Sequence, residues 1–195
     1  SSSTKKRPYK YNNKEKLYYF PDPYESPDSK NIPAGRGTWR PFQIAFLLTS
    51  LKSTAEPADS ERETVELLWF PTGGGKTEAY LGLTAFSIFL RRLRDPHDTG
   101  VQVLMRYTLR LLTSQQFQRA SSLICAMEMV RQKDLTNLGE TPFSIGLWLG
   151  GDTIPNRKSD AKRTFDALAR GGSARGSFSA LECPWCRAQI GPHKE

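Results

Sequence analysis

The chain has 195 residues, 37% of them hydrophobic and 25% charged, with 28 Lys+Arg against 20 Asp+Glu and a formal net charge of +8. That content suffices for a packed core and excludes wholesale disorder, and the length suits one ordinary domain with a tail at one or both ends. No apolar run reaches the ~18–20 residues of a membrane span, the N-terminus is too polar for a signal peptide, and three cysteines exclude a secreted disulfide scaffold, so a cytoplasmic protein without membrane contact is expected.

Residues 1–38 read as a basic, aromatic arm. Lys5, Lys6, Arg7, Lys10, Lys14 and Lys16 alternate with Tyr9, Tyr11, Tyr18 and Tyr19, and five prolines forbid a continuous helix. Such an arm can stack on bases or pack on a neighbouring domain. Two further basic stretches, 91–119 and 152–175, are separated from it by acidic or neutral sequence, a pattern that suits either a polyanion partner or a solvated surface.

From Arg40 onward the apolar spacing predicts a helix with Pro41 in its first turn, ended by a polar loop over 52–64. The unbroken apolar run at 65–70 predicts a buried parallel strand, and the glycine turn after it leads into a long helix that Asp95-Pro96 ends. Further strands are expected at 101–105 and 143–149, and further helices at about 113–131 and 158–170. Cys125 falls on the apolar face of the first of these helices and reads as core packing. Strands alternating with helices predict an α/β fold, a parallel sheet flanked by helices with right-handed crossovers.

The densest local signal is Phe70-Pro-Thr72-Gly73-Gly74-Gly75-Lys76-Thr77-Glu78, placed between an expected strand and an expected helix. In a phosphate cradle the glycines let backbone N–H groups curl round an anion and the helix N-terminus adds partial positive charge. The lysine reaches the β/γ oxygens, and the threonine hydroxyl meets Mg²⁺. Phe70 stands where the strict P-loop pattern has glycine. Lys76 and Thr77 are the candidate catalytic residues, and Thr72, Gly73, Gly74, Gly75, Lys76, Thr77 and Glu78 the candidate ATP·Mg²⁺ cradle.

Pro71-Thr-Gly-Gly-Gly-Lys-Thr resembles motif I of superfamily 2 helicases. Gln43 in Arg40-Pro-Phe-Gln43 is similar to the Q motif, whose amide matches the donor and acceptor of adenine; a surface glutamine is the alternative. Arg106-Tyr-Thr108-Leu-Arg110 with Gln115 resembles motif Ia, and Gly150-Gly151 the paired-glycine motif. The resemblance implies that Arg106, Thr108, Arg110, Gln115, Gly150 and Gly151 contact the DNA backbone. Four longer strings, from Trp39-Arg-Pro-Phe-Gln to Ile145-Gly-Leu-Trp-Leu-Gly-Gly151, resemble the DrmA-type helicase subunits of the bacterial DISARM anti-phage system over roughly 39–186. The resemblance implies a RecA-like P-loop lobe at 39–170, an ATP-dependent DNA helicase or translocase, and DNA and a DrmB-type subunit as partners. A repair helicase of the same superfamily and a non-catalytic DNA- or partner-binding scaffold are the alternatives.

Residues 171–195 hold a Gly/Ser-rich loop and Cys183-Pro-Trp-Cys186, half of a Zn²⁺ site. His193 offers a third ligand, the resemblance implies a second Cys pair farther on, and a redox pair is the rival reading. The chain opens on Ser1-Ser2-Ser3 without Met, stops soon after Cys186, and has no Asp-Glu box after a hydrophobic strand. A fragment of a longer protein, unable to turn over ATP alone, is therefore expected.

Overall fold

A computed structural model describes residues 10–15, 17–21, 37–71, 73–107, 110–149, 155, 157–170, 182–188 and 190. The chain divides into two compact units, one of residues 27–116 with 123–144, the other of 1–26, 117–122 and 145–195. The expected α/β architecture is overturned. The described regular structure is mostly helical, and its one ladder is a short antiparallel hairpin of β1 (Lys10–Asn12) and β2 (Leu17–Tyr19), with Lys10 opposite Tyr19. There is no parallel sheet and hence no RecA-like lobe among the described residues. The stretches 65–70, 101–105 and 143–149 have no regular secondary structure and pair with no strand among the described residues. Most of their large apolar side chains face solvent instead of a core: Val65, Leu67 and Trp69 are 92%, 86% and 85% exposed, and Val101, Leu104 and Trp148 are likewise open, whereas Phe143 is buried. An apolar run gives a segment its tendency to extend, but a strand also needs a neighbour to take its N–H and C=O groups.

In the unit of 27–116 and 123–144, helices form where the apolar spacing places them, although the first runs on to Ala55, into the stretch expected as a polar loop over 52–64. Helix α1 (Pro41–Ala55) starts on Pro41, whose fixed φ suits the first turn and whose missing N–H costs nothing there. It is followed by a 3₁₀ turn, Ser60–Glu63, which Asp59 caps by accepting from the Glu61 N–H at 2.9 Å. Helix α2 (Lys76–Arg94) packs on α1, with Phe46 edge-on to Tyr80 at 5.7 Å. Arg91, Arg92 and Arg94 sit in its last turn, where cations meet the negative end of the helix dipole. Asp95 then turns extended, as the residue before a proline must. The 65–70 segment is tied to α1 by the buried Ser50 hydroxyl, which donates to the Glu66 carboxylate.

Helix α3 (Arg110–Arg131) begins three residues before its expected start, and the short α4 (Leu135–Leu138) follows it. Two buried arginines close the turn after α4. Arg92 donates to the Leu138 carbonyl at 3.0 Å, and Arg131 to those of Gly139 and Glu140 at 2.7 and 3.1 Å. These carbonyls lie at or just past a helix C-terminus and have no intrahelical partner. Glu128 balances the charge by pairing with Arg131 and also accepts the Phe143 N–H at 3.0 Å. Phe143 stands edge-on to Phe89 at 5.5 Å, with the Arg92 guanidinium 5.1 Å from its ring centre.

In the other unit, α5 (Lys158–Ala169) buries Leu168 but leaves Phe165 exposed, so the inner face expected for Ala161, Phe165 and Leu168 is only partly covered. The hairpin inside the expected arm has a physical origin that residue spacing does not advertise. Asn12 Oδ1 accepts from the Lys14 N–H at 3.0 Å, an Asx turn that reverses the chain between the strands. Among the described residues no helix is long and apolar enough to cross a membrane.

Candidate phosphate-binding site

The loop before α2 is shaped by its glycines. Gly75 is the N-cap of α2 with φ +94°, a left-handed conformation that favours glycine, and Gly73 shares that sign at +81°. Gly74 is needed for space: a Cβ there would lie 2.6 Å from the Phe70 ring and 3.0 Å from the Pro71 carbonyl oxygen. The Gly74 N–H donates to that same oxygen at 3.2 Å and closes the turn. Phe70, the departure from the strict pattern, stacks on Phe42 at 4.1 Å with the rings 13° from parallel. The aromatic thus uses the bare face of Gly74 and joins the loop to α1.

Lys76 and Thr77 open α2, both half-buried. The Lys76 ammonium donates to the carbonyls of Phe70 and Pro71, the second at 3.1 Å, so the loop folds round its own cation. Glu78 shares the first turn, where a carboxylate is favoured by the helix dipole and removes part of the loop's positive charge.

Gln43, 4% exposed, lies against this loop. Its Nε2 donates to the Gly75 carbonyl at 2.7 Å and its Oε1 accepts the Arg40 N–H at 2.7 Å. The second bond is half of a capping box; the other half cannot form, because arginine has no acceptor. Arg40 itself reaches the loop, its Nη1 donating to the Gly74 carbonyl at 2.8 Å. Motif reasoning passes over Arg40; its only signal is an arginine immediately before the helix-starting proline and three residues before Gln43.

The structure therefore brings together Gln43, Gly73, Gly74, Gly75, Lys76, Thr77 and Glu78, while Thr72 lies outside the described residues. Of the expected DNA contacts, Arg106 and Gln115 are exposed, and among the described residues no hydrogen bond joins either to the loop. Arg110 is the first residue of α3, its side chain outside the described set, and Thr108, Gly150 and Gly151 lie outside it altogether.

Cys183 and Cys186 flank a tight turn in which the Arg187 N–H donates to the Cys183 carbonyl at 2.9 Å and the Cys183 N–H to the Ala188 carbonyl at 2.7 Å. The Ser122 hydroxyl holds the Pro184 carbonyl at 2.9 Å. Among the described residues no disulfide joins the cysteines, and Cys183, Cys186 and Cys125 are all half-buried. Among the described residues no group of three or more His, Cys, Asp or Glu side chains is placed to hold a metal. Two thiolates fall short of a tetrahedral Zn²⁺ set, and His193 lies outside the described residues.

No family model matches the chain, and no solved structure matches it. Over 159 residues it is 43% identical to the DISARM protein DrmA of Bacillus paralicheniformis, a match that covers 76% of this chain. The same match covers 14% of that relative, so the chain spans about one seventh of its length. Over the matched stretch the chain is DrmA-like.

Proposed function

We propose that this chain carries the nucleotide-phosphate site of an ATP-dependent DNA helicase or translocase acting in anti-phage defence. The observation that carries this reading is the glycine loop at the N-terminus of the 19-residue helix α2, with Lys76 and Thr77 in its first turn. The free N–H groups of a helix start, together with its dipole, form a ready anion site. In this reading Lys76 exchanges its two loop carbonyls for phosphate oxygens, and Thr77 offers its hydroxyl to Mg²⁺. The bound ion neutralises phosphate charge. The likeness to a DISARM protein supports the setting in phage defence. DNA as substrate and a DrmB-type subunit as partner are part of the proposal. Arg106, Arg110 and Gln115 are proposed to grip the DNA backbone.

The test is the Lys76→Ala variant of the intact protein. The lost charge-assisted contacts to phosphate should weaken ATP·Mg²⁺ binding about tenfold or more and abolish DNA-stimulated hydrolysis and protection of cells against phage. A variant that binds and hydrolyses ATP like the wild type would remove the phosphate-site assignment.

A further inference from the structure

We propose that Arg40 and Gln43 are positioning residues of the glycine loop: by holding the Gly74 and Gly75 carbonyls they aim the N–H groups of Gly75 and Lys76 at the phosphate. The inference rests on the phosphate-site reading above and assigns Gln43 a task distinct from contact with a base.

The argument begins with peptide geometry. In a trans peptide the C=O of one residue and the N–H of the next point in opposite directions. Fixing the Gly74 carbonyl therefore fixes the Gly75 N–H, and fixing the Gly75 carbonyl fixes the Lys76 N–H. Both carbonyls are held from the same place, the start of α1, by Arg40 Nη1 at 2.8 Å and Gln43 Nε2 at 2.7 Å. Both N–H groups consequently point away from α1. They lie at the beginning of α2, where backbone donors have no intrahelical partner.

A glycine loop needs this help. Without side chains its peptides flip easily, and a flipped peptide presents an oxygen to the anion where a donor is required. Gln43 suits the task because its amide is committed at both ends. Its oxygen is held by the Arg40 N–H, and turning the amide over would set oxygen against oxygen at Gly75. The fit is also close, since a Cβ on Gly75 would lie 2.8 Å from Gln43 Nε2. With one oxygen lone pair and one amide hydrogen engaged by Arg40 and Gly75, the Gln43 amide is fixed in orientation by the loop itself.

The experiment compares ATP with a ligand that has no base. Binding of ATP·Mg²⁺ and of inorganic tripolyphosphate·Mg²⁺ to the intact protein is measured by calorimetry for the wild type and for Gln43→Ala, Arg40→Ala, Arg40→Lys and Lys76→Ala. Thermal unfolding of each variant confirms that it is folded. Gln43→Ala should weaken both ligands by the same factor, roughly tenfold, and Arg40→Ala both by roughly threefold, as expected for one lost hydrogen bond each. The Arg40→Ala deficit should persist at about 1 M salt, where a Debye length of ~3 Å screens a simple charge effect. Arg40→Lys should recover part of it, because an ammonium can still donate to one carbonyl.

Loss of ATP affinity in Gln43→Ala with tripolyphosphate affinity intact would show a base contact and overturn the proposal. So would unchanged affinity for both ligands in both alanine variants, or an Arg40→Ala deficit that vanishes in high salt. Failure of the underlying phosphate-site reading has a separate signature: Lys76→Ala would then bind both ligands like the wild type.

Discussion

Gly75 and Gly73 separate two costs that usually arrive together. Both have φ in the left-handed region, but a Cβ at Gly73 meets nothing within 4 Å, whereas one at Gly75 meets the Gln43 amide at 2.8 Å. Gly73→Ala should therefore cost only backbone strain, about 1–2 kcal/mol, and Gly75→Ala that amount plus the displacement of Gln43. For a chain of this size each kcal/mol lowers Tm by roughly 2–4 °C, so the difference is measurable by circular dichroism. In a Gln43→Ala background the excess at Gly75 should disappear, because nothing is left to displace. An equal excess in both backgrounds would mean that Gln43 does not press on the loop. The same site shows how far residue identity carries. The density of glycine before Lys-Thr marks the loop unaided. Phe70 looks like a flaw in the motif until its stack on Phe42 is seen, a contact between residues 28 positions apart that no local pattern encodes.

Among the elements, helices are legible and the expected sheet is not. Pro41 and Asp95-Pro96 mark the start of α1 and the end of α2 through backbone rules that act within one or two residues. The stretches at 65–70 and 101–105 have strand composition, but composition names no partner, and the structure leaves them unpaired. The Arg92–Arg131–Glu128 cluster is equally invisible in sequence, where three charged residues on helices read as solvated faces. Its presence predicts a pH response. The Arg131 guanidinium, with the Phe143 N–H, holds the Glu128 carboxyl below its ordinary range, while Arg131 is pushed up and stays charged. A carboxyl whose folded pKa lies below its unfolded value of about 4.3 binds more protons unfolded than folded. Its stabilisation is therefore complete above about pH 5 and is lost as pH falls through the depressed folded value. Glu128→Gln should cost about 1–3 kcal/mol at pH 7, and the gap to the wild type should close towards pH 3, measured by urea unfolding at stepped pH. A gap that stays constant from pH 7 to pH 3 would show that the pair contributes nothing through its charge.

At the scale of the whole molecule, the distribution of apolar surface is the feature that sequence reasoning placed wrongly. Val65, Leu67 and Trp69 alternate along one short segment, and all three face solvent. Burying side chains of this kind yields about 1.5–3 kcal/mol each, so leaving three in a row in water favours association with any surface that covers them. The segment also has strand composition and lies in no ladder among the described residues, and segments of this kind pair with one another unless charge or proline prevents it. The 195-residue chain should therefore self-associate with rising concentration. Leu67→Lys places a charge at the centre of the strip, where a second copy would have to bury it. Since Leu67 is 86% exposed, the substitution removes little internal packing, and Tm should change by no more than about 2 °C. Light scattering across a concentration series should find the lysine variant closer to monomeric than the wild type. Equal association of the two proteins would mean that this strip is not the adhesive surface.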